Sequence, residues 1–322
     1  MQAITLTGTD LSLLPVALGI AGIGVAMSEE ESKVLMDLFL QEGGSLIDTA
    51  RIYSDWIPGE LHRSERIFGD WMKERGNRES VLISTKGGHC AVEDQTPRLS
   101  PELLDEDLNG SLKSLQVDTI DLYWLHRDDI NRSVGTIMDT LHAFQNEGRI
   151  RHYAASNWTP ARIMEANDYA VSQGYAPFVA SQVEWSLGSR YKKPGVNDTM
   201  FHFSHEYEEL HKNTDISAVP FSSQAQGYFS KRTHDPNSVA NSPFDTEGNR
   251  RLHDLLTKSI LSLDLSMGQA ILSYLWSQSF PVVPIIGCRT PAQLKESMQY
   301  VGRRLPDSLM ASIQSKLVNS KN

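Results

Sequence analysis

Short apolar runs alternate with longer amphipathic stretches from one end of the chain to the other. The runs Pro15–Leu18, Ser45–Thr49, Val81–Thr85, Thr119–Leu125, Arg151–Ala155, Val179–Val183, Ile216–Pro220 and Val282–Ile286 are brief and continuous rather than alternating, as expected of parallel strands buried on both faces. The stretches between them carry helix signals. Ser28 precedes an acidic first turn, Ser100-Pro101 and Thr159-Pro160 pair a capping residue with proline at the first helical position, and Ser266 and Thr290 open two late helices. Gly43, Gly148 and Gly174 stand where helices end. Eight strand–helix alternations without consecutive hairpins predict an α/β fold with a closed parallel (β/α)8 TIM barrel over residues 1–322 as a single domain. The first residues (I-T-L-T-G-T-D-L-S-L) read as a short N-terminal hairpin plugging the barrel bottom. Residues 228–249, after the seventh strand, are polar and rich in Pro, Asn and Ser, and read as a long lid loop without periodicity.

Composition narrows the function. The chain has 322 residues, with 40 acidic and 30 basic side chains and a net charge of −10. That balance argues against nucleic acid or an anionic membrane as partner, since both require clustered Lys and Arg. No apolar run reaches the roughly 18 residues of a membrane span. Two cysteines, Cys90 and Cys288, are too few for a disulfide framework. Together with an N-terminus that lacks a signal-peptide pattern, they predict a cytoplasmic protein.

A βα barrel places its chemistry at the C-terminal ends of its strands. Those positions hold Asp48, Lys86 and His126, and Tyr53 follows the second strand in D-T-A-R-I-Y. Each alone has a structural explanation as cap, rim or loop residue; the four converging on one mouth do not. Several motifs in order carry a resemblance through nearly the whole length. They are D-T-A-R-I-Y (48–53), S-E-R-I-F-G-D-W (64–71), S-T-K (84–86), D-L-Y-W-L-H-R (121–127), E-G-R-I-R-H-Y-A-A-S-N (147–157), S-Q-V-E-W-S (181–186) and G-C-R-T-P-A-Q-L (287–294). The chain resembles the aldo-keto reductases.

The resemblance implies hydride transfer from NADP(H) to a small-molecule aldehyde or ketone, with Tyr53 as proton donor. A lysine ammonium beside a tyrosine favours the phenolate and so eases release of the proton. Lys86 would fill that place, held charged by Asp48, while His126 orients the carbonyl oxygen. No protein side chain supplies a hydride, hence the nicotinamide. By resemblance, Ser156, Asn157 and Gln182 hold its carboxamide and Phe221 stacks on its ring. Gly22, Ser222, Gln224, Gly227 and Lys231 approach the cofactor along its length. Gly287, Cys288, Arg289, Gln293, Glu296 and Ser297 form the adenosine end. Arg289, a rigid guanidinium suited to a 2′-phosphate, predicts NADPH over NADH. Trp56, Arg127, Trp158 and Phe229 fall after strand ends and are expected to line the substrate pocket.

Three decoys read differently. The glycines of G19-I-A-G-I-G24 lack the spacing and acidic follow-up of a dinucleotide fingerprint. The His and Glu residues of F-H-F-S-H-E-Y-E-E-L-H (201–211) read as a solvated charged helix rather than metal ligands, so no metal is expected. Cys90 has no base partner in sequence. Two other readings compete with the reductase: a nucleotide-sensing regulatory barrel with little turnover, and an aldolase-like barrel using a lysine Schiff base. The expected assembly is a monomer or weak homo-oligomer.

Overall fold

The computed structural model describes residues 2–57, 59–91, 95–191 and 199–318. Two strands, β1 (Ile4–Thr5) and β2 (Ser12–Leu13), pair as an antiparallel hairpin. Eight more follow: β3 (Ala17–Gly19), β4 (Leu46–Asp48), β5 (Leu82–Gly87), β6 (Ile120–Leu125), β7 (Ile150–Ser156), β8 (Ala180–Gln182), β9 (Ser217–Ala218) and β10 (Ile285–Ile286). All are parallel, each neighbour follows the last in sequence, and β10 pairs with β3. The remaining seam closes through an Ala218–Val282 bridge, so the sheet is a (β/α)8 barrel.

The helices begin where their caps dictate. In α1 (Glu29–Gln41) the Ser28 side chain accepts from the Glu31 amide while the Glu31 carboxylate accepts from the Ser28 amide. Proline opens α3 (Pro101–Leu115), α5 (Pro160–Gln173) and α10 (Pro291–Met298), behind Ser100, Thr159 and Thr290 caps. A second capping box, Ser266 with Gln269, starts α9 (Met267–Trp276). The other helices are α2 (Arg63–Arg75), α4 (Val134–Asn146), α6 (His205–Asn213), α7 (Tyr228–His234), α8 (Glu247–Ser259) and α11 (Asp307–Val318). Among the described residues no helix is long and apolar enough to cross a membrane.

The hairpin contributes Leu6, Leu11 and Leu13 to a core shared with Ala17, Leu46, Leu122 and Trp124 inside the barrel, so it acts as a plug. Two expectations change. The last two strands are much shorter than their apolar runs, because Pro220, Pro281 and Pro284 have no N–H for a ladder. Residues 228–249 are not a bare loop either. They form α7, a 3-10 turn at Pro236–Val239 and the start of α8. Tyr228, Phe229, Val239 and Phe244 anchor this segment in a second core with Leu252 and Leu256. One aromatic pair and two separate apolar residues suffice there, a pattern without periodicity.

Candidate active site

Strand alternation builds the centre of the mouth. Asp48 ends β4, and Ser84 and Lys86 lie two apart on one face of β5. The Lys86 Nζ donates to Asp48 Oδ2 and to the Thr49 carbonyl, both at 2.6 Å. Asp48 Oδ1 accepts from Ser84 Oγ at 2.7 Å and from Gln182 Nε2 at 3.3 Å, and Trp124 Nε1 donates to Ser84 at 2.8 Å. The lysine is wholly buried. Burial alone would lower its pKa, but the Asp48 charge and Tyr53 outweigh it and hold Lys86 above the ordinary lysine range. It is therefore an ammonium, not the free amine that a Schiff base needs.

That ammonium lies 4.9 Å from the centroid of the half-buried Tyr53 ring. Tyr53 meets His126 edge to face, centroids 5.7 Å apart at 82°. Burial first, then the Arg127 and Lys86 charges, push His126 well below the usual histidine range, so it is a neutral imidazole at pH 7. All four residues expected at the strand ends meet in one place.

Beside them, Ser156 ends β7 and Gln182 ends β8. Ser156 Oγ donates to the Gln182 carbonyl at 3.0 Å. Asn157, in the left-handed region at φ +58°, donates from Nδ2 to Ser156 Oγ and to the His126 carbonyl, and accepts from the Phe201 amide. Phe221, half-buried, packs against the barrel core. After it Ser222, Ala225, Gln226 and Gly227 all have positive φ, and the chain winds into a tight turn that opens α7. Lys231 Nζ donates to the Gln226 carbonyl across that turn.

Farther out, Gln224 Nε2 donates to Ser297 Oγ at 3.2 Å, and Ser266 Oγ donates to the Glu296 carboxylate. The Arg289 amide donates to Gln293 Oε1 at 2.8 Å, while Arg289, Gln293 and Glu296 are exposed. Gly287 faces open space, where an added Cβ would meet no atom within 4 Å. Cys288 is buried against Ser297, and burial raises its thiol to about 11, so it is inert. Gly22 sits in the turn after β3, where its carbonyl accepts from the amides of Val25 and Ala26.

The aldo/keto reductase family model matches residues 15–318. The chain belongs to the aldo/keto reductase family. Its curated relatives include the norsolorinic acid reductase of Emericella nidulans, 26% identical over 90% of this chain and 73% of the relative. A putative aryl-alcohol dehydrogenase of Saccharomyces cerevisiae is 27% identical over 94% and 82%. An NADP(+) aryl-alcohol dehydrogenase of Phanerodontia chrysosporium is 30% identical over 57% and 51%.

Within this aldo/keto reductase, the expected substrate-lining residues divide. Trp56 is 58% exposed. Trp158 and Phe229 are both buried to within 1%. Trp158 packs against Phe178 and the Arg162 guanidinium and donates to the Arg127 carbonyl, and Phe229 packs against Tyr228. Arg127 is also buried, donating to the His126 carbonyl and Thr199 Oγ1. The charged-helix reading of residues 201–211 holds for His205, which faces Glu208, but not for His211, which is buried between Ser181 Oγ and the Ile216 carbonyl.

Sequence reasoning missed His89, whose ring packs on His126 with centroids 4.7 Å apart. The signal was present, since it follows Lys86 by three residues in K-G-G-H-C. It missed the Glu65 carboxylate as well, which is fully buried between Thr85 Oγ1 (2.7 Å) and Arg51 Nη1 (3.3 Å), where the S-E motif meets the back of the strand ends.

Proposed function

We propose that the chain is an NADPH-dependent reductase of aldehyde and ketone carbonyls, acting as a single barrel unit. The observation that carries this reading is the fully buried Lys86–Asp48 pair set against Tyr53, with a neutral His126 beside it. A charged lysine there stabilises negative charge on the tyrosine oxygen as its proton leaves. A neutral imidazole can donate a hydrogen bond to the carbonyl oxygen and fix its direction without giving up a full proton.

The residues present fit a nicotinamide dinucleotide. Gln182, whose Nε2 goes to Asp48, has an oxygen to accept from a carboxamide, and Ser156 stands beside it. Asn157, with both ends of its amide bonded to protein, acts by positioning Ser156. The turn at residues 222–227 brings backbone close enough for a pyrophosphate, and the open ground over Gly287 with exposed Arg289 suits an adenosine 2′-phosphate. When bound, NADPH supplies the hydride.

The fungal relatives named for aryl alcohols and for norsolorinic acid support carbonyl and alcohol chemistry on aromatic compounds. The test is oxidation of NADPH, and separately NADH, against a panel of activated aldehydes and ketones. Turnover that prefers NADPH upholds the reading. Tight NADPH binding without turnover on any carbonyl would replace it with a regulatory nucleotide-binding role.

A further inference from the structure

Among the described residues, His89 is a polar ring beside the reactive centre that the chemistry above does not use. It stands on the loop leaving β5, after Gly88, whose φ of +69° turns the chain sharply. The half-buried ring packs against His126 at 4.7 Å with planes at 77°, and His126 in turn packs against Tyr53 at 5.7 Å. The three rings form one row across the mouth with His126 in the middle.

What His89 can offer a ligand is fixed by its other nitrogen. Nδ1 lies 2.7 Å from the Cys90 carbonyl oxygen. A carbonyl only accepts, so Nδ1 carries the proton and the neutral ring keeps a lone pair on Nε2. Burial first, and the Arg127 charge after it, hold the ring below the ordinary histidine range, so this neutral form persists at pH 7. Among the described residues the Cys90 carbonyl is its hydrogen-bond partner. Tyr53 and His126 present donors suited to a carbonyl oxygen, whereas His89 presents an acceptor. It cannot bond that oxygen, but it matches a donor attached next to it.

We propose that His89 is a specificity-determining residue whose Nε2 accepts a hydrogen bond from a hydroxyl on the carbon beside the substrate carbonyl, making hydroxy-carbonyl compounds the favoured class. This rests on the reductase reading above. Replacing the hydroxyl by a methyl ether keeps the oxygen but removes the donor, leaving two lone pairs face to face. For a neutral hydrogen bond in a half-open site the discrimination is about threefold to tenfold in kcat/KM.

The experiment compares α-hydroxyacetophenone with α-methoxyacetophenone, with NADPH, on the parent enzyme and on His89→Phe and His89→Leu. Both ketones are measured on one preparation, so the ratio does not depend on how much of a variant is folded, and either variant alone suffices. The parent should favour the hydroxyketone, and both variants should bring the ratio close to one. A parent ratio of one or below, or a preference that survives both substitutions, overturns the role of His89 while leaving the reductase reading intact. A parent that reduces neither these ketones nor any simple aldehyde overturns the reductase reading and this proposal with it.

Discussion

The two ends of the candidate cofactor groove are built in opposite ways. At the reactive end Lys86, Asp48, Ser84, Gln182 and Trp124 form one buried hydrogen-bonded chain. At the proposed adenosine end Arg289, Gln293 and Glu296 stand on the surface and bond mainly to nearby backbone and to Ser266. A reaction centre gains from groups already fixed before substrate arrives, because no reorganisation is then needed in the transition state. A nucleotide handle needs only complementary charge, and its exposed side chains can be changed without disturbing the barrel.

The contrast can be broken at its strongest point first. Tyr53→Phe removes the proposed proton donor and little else, so turnover should fall by about 10²–10⁴-fold, while NADPH binding, followed by fluorescence, stays near that of the parent. Equal rates would remove Tyr53 from the mechanism. Asp48→Asn should hurt both activity and fold, since it leaves a buried ammonium without its counter-charge. We expect a loss of about 3–5 kcal/mol in urea unfolding, and an unchanged midpoint would show that the pair is not structural. Arg289→Ala sharpens the other side: NADPH affinity should fall about tenfold with NADH affinity little altered and the melting temperature unchanged.

A smaller effect tests burial away from the mouth. Burial lowers His211 from an unfolded value of 6.5 to about 4, its bond to the Ile216 carbonyl opposing only in part. The folded-state value lies below the unfolded one, so the unfolded chain takes up the proton first as pH falls. The contribution is complete above pH 6.5 and is lost between 6.5 and about 4, on the order of 3 kcal/mol in all. Urea unfolding at pH 7.5 and pH 5 should reveal that slope, and His211→Gln should flatten it.

Much of this was legible in the sequence, and for a physical reason. Strand ends in a barrel point one way, so Asp48, Lys86 and His126 could be placed together from alternation alone. The core of the 228–249 segment was not legible, because the Tyr228-Phe229 pair, Val239 and Phe244 follow no helix or strand period, and their common destination depends on the turn that precedes them. Nor does periodicity say whether an aromatic just past a strand end, such as Trp158 or Phe229, faces the mouth or the wall. His89 was overlooked because its place three residues after Lys86, in a glycine-rich loop, does not say which way the ring turns; its contact with His126 does.

The pairing of β10 with β3 joins opposite ends of the chain, and the seam beside it rests on two-residue strands thinned by proline. During synthesis one edge of β3 must wait with its backbone groups unpaired until residues 285 and 286 have left the ribosome. An exposed strand edge invites pairing with another chain, so slow translation or truncation before that point leaves the nascent protein open to aggregation.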